Sequence, residues 1–283
     1  MPLPIRKALI VYCSPGGSTE HVARVMEANI RAHGMPLTMV DLGREQDIPF
    51  ILSQLPAAKE NLCLMIGSPV YAMHPVPPVM EFLKCLPVAE GGYAVPFVTW
   101  GGVSSGIALH LMGQELESKG YTLLGAAKVL ARHSMMWACD DAQGRGHPDR
   151  EDERMIGELV DMVCAKLKLP DPPGLSLSQL DYQPRDRHDF MSTLGIQAVR
   201  ALMPERKLER ERCTGCGVCV ENCPVNAIEL TPYPEFGPSC ICCFNCVRLC
   251  PEQALTADLS VNMERIRIMT ERFSEPEGTR TFN

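Results

Sequence analysis

Residues Lys7–Thr19 read KALIVYCSPGGST. The apolar run Lys7–Cys13 has the look of a buried strand. It turns through Ser14-Pro15-Gly16-Gly17 directly into Ser18–Arg31, where Val22, Val25, Met26 and Ile30 share one helical face. The alternation continues along the chain. Leu37–Leu42, Asn61–Ile66, Ala94–Trp100 and a segment within Tyr121–Ala131 read as further strands, and Pro77–Cys85, Ile107–Lys119 and Arg150–Lys168 as helices. The last of these carries Ile156, Leu159, Val160, Val163 and Leu167 on one face. Acids at its start (Glu151, Asp152, Glu153) and Lys166 and Lys168 at its end suit the helix dipole. Strands alternating with helices over residues 1–168 predict an α/β domain, a doubly wound parallel sheet of five strands with helices on both faces.

In such sheets ligands bind beyond the carboxyl ends of the strands, and three loops belong at that edge. The first holds Ser14, Gly16, Gly17, Ser18 and Thr19, hydroxyls and backbone N–H groups at a helix start, which suit an anion. It has neither a Walker lysine nor a GxGxxG pattern, so a phosphate carrying little else is expected, such as that of FMN. The second holds Ser68, Pro69, Val70 and Tyr71, and the third Thr99, Trp100, Gly101 and Gly102. Each adds backbone groups and one aromatic suited to flanking an isoalloxazine ring. A Gly/Ser turn before a helix is often only a turn; the three loops together carry the FMN expectation. His74 is a nominee for a proton relay or an ordinary loop polar residue. His133 with Ser134 is a nominee for the crevice wall. Trp100 either flanks the cofactor or caps the sheet, and Met135-Met136-Trp137 either face a partner or join the core.

The chain has 14 cysteines. Cys13, Cys63, Cys85, Cys139 and Cys164 are scattered, and the rest crowd between Cys213 and Cys250. Cys213, Cys216, Cys219 and Cys223 precede Pro224; Cys240, Cys243, Cys246 and Cys250 precede Pro251. The second set repeats the first at an offset of 27 residues, which continues from Ala227-Ile228 to Ala254-Leu255. Each unit is C-x2-C-x2-C-x3-C-P. Three close thiolates on a tight loop can hold three corners of a cubane, and Gly215 and Gly217 let the backbone approach inorganic sulfide. Zinc sites instead favour two CxxC pairs with a longer gap. Cys242 would give spacings of one and three residues, so it reads as an additional thiol beside the ligands.

The repeat over roughly 205–260 resembles bacterial-type dicluster 4Fe-4S ferredoxins. In those, the cysteine before the proline serves the other cluster. The resemblance therefore implies one cluster on Cys213, Cys216, Cys219 and Cys250, and a second on Cys240, Cys243, Cys246 and Cys223. Residues 5–168 resemble flavodoxin, with Ser14–Thr19 loosely matching its phosphate loop; Pro15 and Gly16-Gly17 depart from that pattern. The segments GSPVY and TWGG resemble an anaerobe family that fuses a flavodoxin-like domain to a dicluster ferredoxin. This implies FMN, two [4Fe-4S] clusters and redox chemistry without naming a substrate.

Between the two parts, 169–203 reads as a linker with Pro170, Pro172, Pro173, Gly174 and Pro184, followed by a docking helix over Asp189–Leu202. Residues 204–260 form the small α+β ferredoxin domain, and 261–283 a polar helical segment ending in a mobile tail, EPEGTRTFN. The formal charge of −7 comes without a basic excess in any segment, which argues against a nucleic-acid partner. The charge-free stretch Gly91–Gln114 is broken by glycines and Pro96, so no membrane span is expected. The N-terminus lacks signal-peptide character. The expectation is a cytoplasmic iron–sulfur flavoprotein exchanging electrons with a redox protein, with a homo-oligomer left open. A flavin-dependent reductase of a small molecule is the rival reading. A redox sensor is a further one, without a DNA-binding motif behind it.

Overall fold

The computed structural model describes residues 7–53, 62–88, 91–273 and 275–283. β1 (Lys7–Tyr12) lies inside a sheet because both its faces are apolar: Leu9 and Val11 enter one core, and Ala8, Ile10 and Tyr12 the other. α1 (Ser18–Ala32) lays Val22, Ala23, Met26 and Ile30 on the second core. There follow β2 (Leu37–Asp41), α2 (Ile48–Ser53), β3 (Leu62–Tyr71), β4 (His74–Pro75), α3 (Pro77–Cys85), β5 (Gly92–Trp100), α4 (Ala108–Ser118), β6 (Tyr121–Leu123), β7 (Ala126–Leu130) and α5 (Arg150–Lys166). Asn61, the predicted start of the third strand, lies outside the described residues.

β1 pairs in parallel with β2 and β3, β3 with β5, and β5 with both β6 and β7. β6 and β7 act as two pieces of one interrupted strand, so the predicted fifth strand is present with a break. The parallel strands then run in the order 2-1-3-4-5, that of a flavodoxin-like doubly wound sheet. Tyr12, Gly67, Phe97 and Ala127 stand in one row of the register, which brings the loops after β1, β3 and β5 out at one edge. Gly67 is required there: a Cβ would sit 2.2 Å from the Phe97 ring. α1 and α5 cover one face, and α3 and α4 the other. α5 opens with a capping box, the Asp149 carboxylate accepting from the Glu151 and Asp152 amides.

Two sequence expectations need correction. The single docking helix over Asp189–Leu202 is not formed. α6 (Arg185–Ser192) stops, Gly195 takes φ 117°, and α7 (Ile196–Val199) runs into a 3-10 turn at Arg200–Leu202. Only glycine adopts such a φ readily, and it breaks the helical stripe.

The second concerns 261–283, whose end is not a mobile tail. α10 (Ser260–Phe273) buries Ile266 and Phe273, and β12 (Arg280–Phe282) pairs antiparallel with β7, covering the sheet edge and burying Phe282. Lys128 on β7 is itself buried and needs a counter-charge. Glu275 supplies it, held also by Ser104 Oγ at 2.7 Å, the Ser105 amide at 2.9 Å and Gln183 Nε2 at 3.1 Å.

The cysteine-rich part contains β8 (Arg206–Leu208), α8 (Val218–Glu221), β9 (Ile228–Leu230), β10 (Pro234–Phe236), α9 (Asn245–Arg248) and β11 (Leu255–Ala257), with β8 on β11 and β9 on β10. The repeat in sequence is a repeat in backbone. Left-handed φ recurs at Gly215 (68°) and Cys242 (55°), at Gly217 (78°) and Phe244 (57°), and at Asn226 (46°) and Gln253 (50°), each pair 27 residues apart. The amides of Ala227 and Ala254 donate to Cys223 Sγ and Cys250 Sγ at 3.2 and 3.3 Å. No helix among the described residues is long and apolar enough to cross a membrane.

Candidate functional site

Beyond the carboxyl ends of β1, β3 and β5 lies a cavity of about 270 Å³. All three predicted loops reach it. Gly16, Ser18 and Thr19 come from the first, Pro69, Val70 and Tyr71 from the second, and Thr99, Trp100 and Gly101 from the third. A buried hydrogen bond of 2.8 Å between Thr19 Oγ1 and Thr99 Oγ1 ties the first loop to the third. At the start of α1, the Glu20 amide is taken by Ser14 Oγ at 2.9 Å and the His21 amide by Gly17 O at 3.0 Å. The Ser18 and Thr19 amides have no protein partner among the described residues, and both residues face the cavity. Two unpaired N–H groups, two hydroxyls and the positive end of a helix dipole fit an anionic group.

Four predicted contact residues are off the cavity wall. Ser14 caps α1. Gly17 is the N-cap, at φ 91°. Ser68 is buried within the second loop, its Oγ accepting from the Val76 amide at 2.9 Å and donating to Pro69 O at 2.8 Å. Gly102 makes a turn at φ 75°. The aromatics do not stand as an exposed pair. Trp100 is 1% exposed, with Lys128 Nζ 4.8 Å from its ring centroid, and its Nε1 has no partner among the described residues. Tyr71 is hydrogen-bonded to Ser134, and burial raises its phenol pKa.

His74 is not at the cavity. Its Nε2 donates to the carbonyl of Met191 at 2.8 Å, clamping the linker. His133 is on the wall. Burial pushes its imidazole down to about 4, so it is neutral at pH 7. Its Nδ1 accepts from the Met135 amide at 3.3 Å, which leaves the proton on Nε2. The ring packs on Gly101, where a Cβ would come within 2.8 Å of it. Met136 is in the core, while Met135 and Trp137 pack on the cysteine-rich part, so this trio does not form a partner-facing patch.

Sequence reading missed the far wall. The linker contributes Leu194, Ile196 and Leu202, and α10 contributes Asn262, Ile266 and Met269 from one helical face, with Arg265 beside them. The spacing 262, 266, 269 is a helical stripe, the one local signal available. Cys242 is also on this wall. It occupies the place in the second unit that Gly215 holds in the first.

Cys213, Cys216, Cys219 and Cys250 line a second, smaller cavity of about 20 Å³. At the other set, burial pushes the Cys243 thiol up to about 12, and the neighbouring thiols of Cys246, Cys223 and Cys240 push the same way. Cys240 is instead pulled down to about 5 by hydrogen bonds from Cys242 and Arg206, so the set mixes a stabilised thiolate with thiols that a bound cation would ionise, which suits a metal centre. No disulfide joins any of the 14 cysteines. Arg206 Nη1 donates to Cys240 Sγ at 3.1 Å. Cys243 is also within electrostatic reach of Tyr71, which lines the large cavity, and of Cys13. Ile241, 1% exposed, is part of the sheet domain's core, so the two halves share packing.

Residues 207–229 match the sequence model of the 4Fe-4S binding domain family. No curated protein matches the chain. Among solved structures, rubredoxin oxygen:oxidoreductase from Desulfovibrio gigas is similar over 57% of this chain at 20% identity, with a TM-score of 0.47. The chain spans about a third of that protein, 36% of its length. A flavodoxin from the domain Archaea is similar over 58% of this chain and 99% of its own, at 20% identity and a TM-score of 0.45. Flavodoxin 2 from Bacillus cereus is similar over 56% of this chain and 99% of its own, at 15% identity and a TM-score of 0.43. The strand order and the matched segment together describe a flavodoxin-like domain followed by a 4Fe-4S binding region.

Proposed function

We propose that this chain is an iron–sulfur flavoprotein that moves electrons between FMN in the large cavity and two [4Fe-4S] clusters, to or from a redox partner. The observation that carries the reading is the meeting of both halves at one wall: the three loops converge on a cavity that Cys242 also lines, next in sequence to Cys243. Ser18 and Thr19 would hold the phosphate through amides and hydroxyls. Pro69, Val70, Thr99 and Gly101 would line the ring, with the apolar linker side chains excluding water. FMN supplies exchange of electrons in pairs or singly, and each cluster exchanges one.

The cysteines divide as the ferredoxin resemblance implies. Cys213, Cys216, Cys219 and Cys250 would hold one cluster, and Cys240, Cys243, Cys246 and Cys223 the other. Support for two clusters is the recurrence of backbone conformation and N–H···S bonds in the second unit, beyond the matched segment. The second cluster would lie nearer the cavity, because Cys242, between Cys240 and Cys243, lines it while none of Cys213, Cys216, Cys219 and Cys250 does.

A second reading, reduction of a small molecule, draws on His133, a neutral imidazole with its Nε2–H on the cavity wall. Photoreduction through the flavin tests the main reading. Cluster bleaching should follow at a rate independent of protein concentration. A rate proportional to protein concentration, or no bleaching, would overturn it.

A further inference from the structure

We propose that His110, Asp181 and His188 form a binding site for one divalent transition-metal ion, of the class represented by zinc(II), which fastens the linker to the sheet domain. The three come from α4, the linker and the start of α6. One ligand atom of each lies within 4.8 Å of the others. The two imidazoles meet edge to face with ring centroids 5.3 Å apart. In a tetrahedral site, ligands at about 2.0–2.1 Å from zinc stand roughly 3.3 Å from one another, so side-chain rotation alone closes the gap.

The state of His110 is what points to a cation. Its Nδ1 is buried and has no hydrogen-bond partner among the described residues. The backbone of Leu177 also lies within hydrogen-bonding reach of the ring. A histidine whose one ring nitrogen donates to a backbone carbonyl keeps the lone pair of the other free, the arrangement in which histidines bind metals, and the partnerless Nδ1 fits it. A hydrogen-bonded pair accounts for His188 and Asp181, with Nδ1 2.6 Å from Oδ1. It does not account for His110. Two imidazoles and one carboxylate suit first-row divalent ions, and the Asp181 side chain, 40% exposed, leaves a route from solvent and room for water as a further ligand.

The ion would act on the linker. α6 leads into Met191, whose carbonyl His74 already holds, and then into Leu194 and Ile196 on the cavity wall. The site uses none of the cysteines and does not depend on the flavin or cluster assignment.

The test adds zinc sulfate to the anaerobically prepared holoprotein, removes the excess by gel filtration and counts zinc and iron per chain. Wild type should retain one zinc with its iron unchanged, and zinc should raise its melting temperature. Asp181→Asn, which preserves shape, and His188→Ala should keep the iron but lose both the zinc and the thermal shift. Absence of retained zinc in wild type would overturn the proposal. So would retention by the variants equal to wild type, or zinc gained only as iron is lost.

Discussion

Arg248, in the second cysteine run between Cys246 and Cys250, donates from Nη2 to the carbonyl oxygen of Pro15 at 2.8 Å. The same nitrogen reaches Asn245 Oδ1 at 2.9 Å. Pro15 lies in the loop that opens α1. One guanidinium therefore joins the ferredoxin-like region to the loop that would hold the phosphate, and brings a positive charge to it.

Removing that link should loosen both. Hydrogen bonds from charged groups contribute about 1.5–3 kcal/mol, so Arg248→Met should weaken FMN binding by about tenfold to a hundredfold. Titration of flavin into deflavinated protein, followed by fluorescence quenching, measures this. Iron content should be unaffected. An unchanged dissociation constant would show that the contact is not coupled to the cofactor.

Gly17 should matter through its backbone alone. It holds φ 91°, yet no heavy atom lies within 4 Å of where its Cβ would stand. A side chain there meets no clash but is forced into left-handed backbone, at about 1–2 kcal/mol. Gly17→Ala should therefore lose roughly tenfold in FMN affinity and Gly17→Val more, each with wild-type iron. Full flavin occupancy in Gly17→Val would show that the loop can relax without it.

If the two cysteine sets hold one cluster each, as proposed, the clusters should differ in potential. Arg206 contacts Cys240 Sγ, whereas the position 27 residues later, equivalent in the repeat, is Tyr233. A guanidinium beside a ligand sulfur stabilises the reduced, more negative cluster. Arg206→Gln should lower one of two potentials by about 60 mV, a tenfold change for a one-electron couple, and leave the other in place. Spectroelectrochemical titration with EPR detection reads both. Equal shifts of both would contradict the asymmetry.

Much of this architecture was legible because it is written locally. Both-face apolar runs such as Lys7–Tyr12 mark internal parallel strands, the helix Pro77–Cys85 starts on its own prolines, and cysteine spacing shows the repeat. The rest depends on distant partners. Thr279–Phe282 has no apolar periodicity, and it is a strand because β7 offers an open edge and Lys128 needs Glu275. Gly195 ended a helical stripe that side-chain spacing alone would extend. Trp100 lines the cavity with Lys128 over its ring, and nothing in the sequence reveals that lysine. The 27-residue offset already sets Cys242 against Gly215; the shared left-handed φ and its place on the cavity wall come only from the fold.

The buried pair between Lys128 and Glu275 should be costly to break. Glu275→Gln leaves an uncompensated charge, and unfolding stability should fall by about 3–5 kcal/mol in chemical denaturation. The pH dependence has a definite sign. Burial alone would raise the Glu275 carboxyl, but the charge of Lys128 and hydrogen bonds from Lys128, Ser105 and Ser104 outweigh it and hold it below its ordinary value. Its contribution is thus complete above the unfolded glutamate value of about 4.3 and is lost as pH falls through the lower folded value. The stability gap between wild type and Glu275→Gln should therefore begin to narrow as pH falls below about 4.3 and should have lost this contribution below the folded value. A gap constant down to the folded value would contradict the assignment.

Chemical analysis of the anaerobically purified protein counts the cofactors directly. Two cubanes and one flavin would give about eight iron atoms, about eight acid-labile sulfides and one FMN per chain. Half that iron in a fully occupied preparation, or FAD or no flavin in place of FMN, would contradict the joining of two clusters and FMN at one cavity.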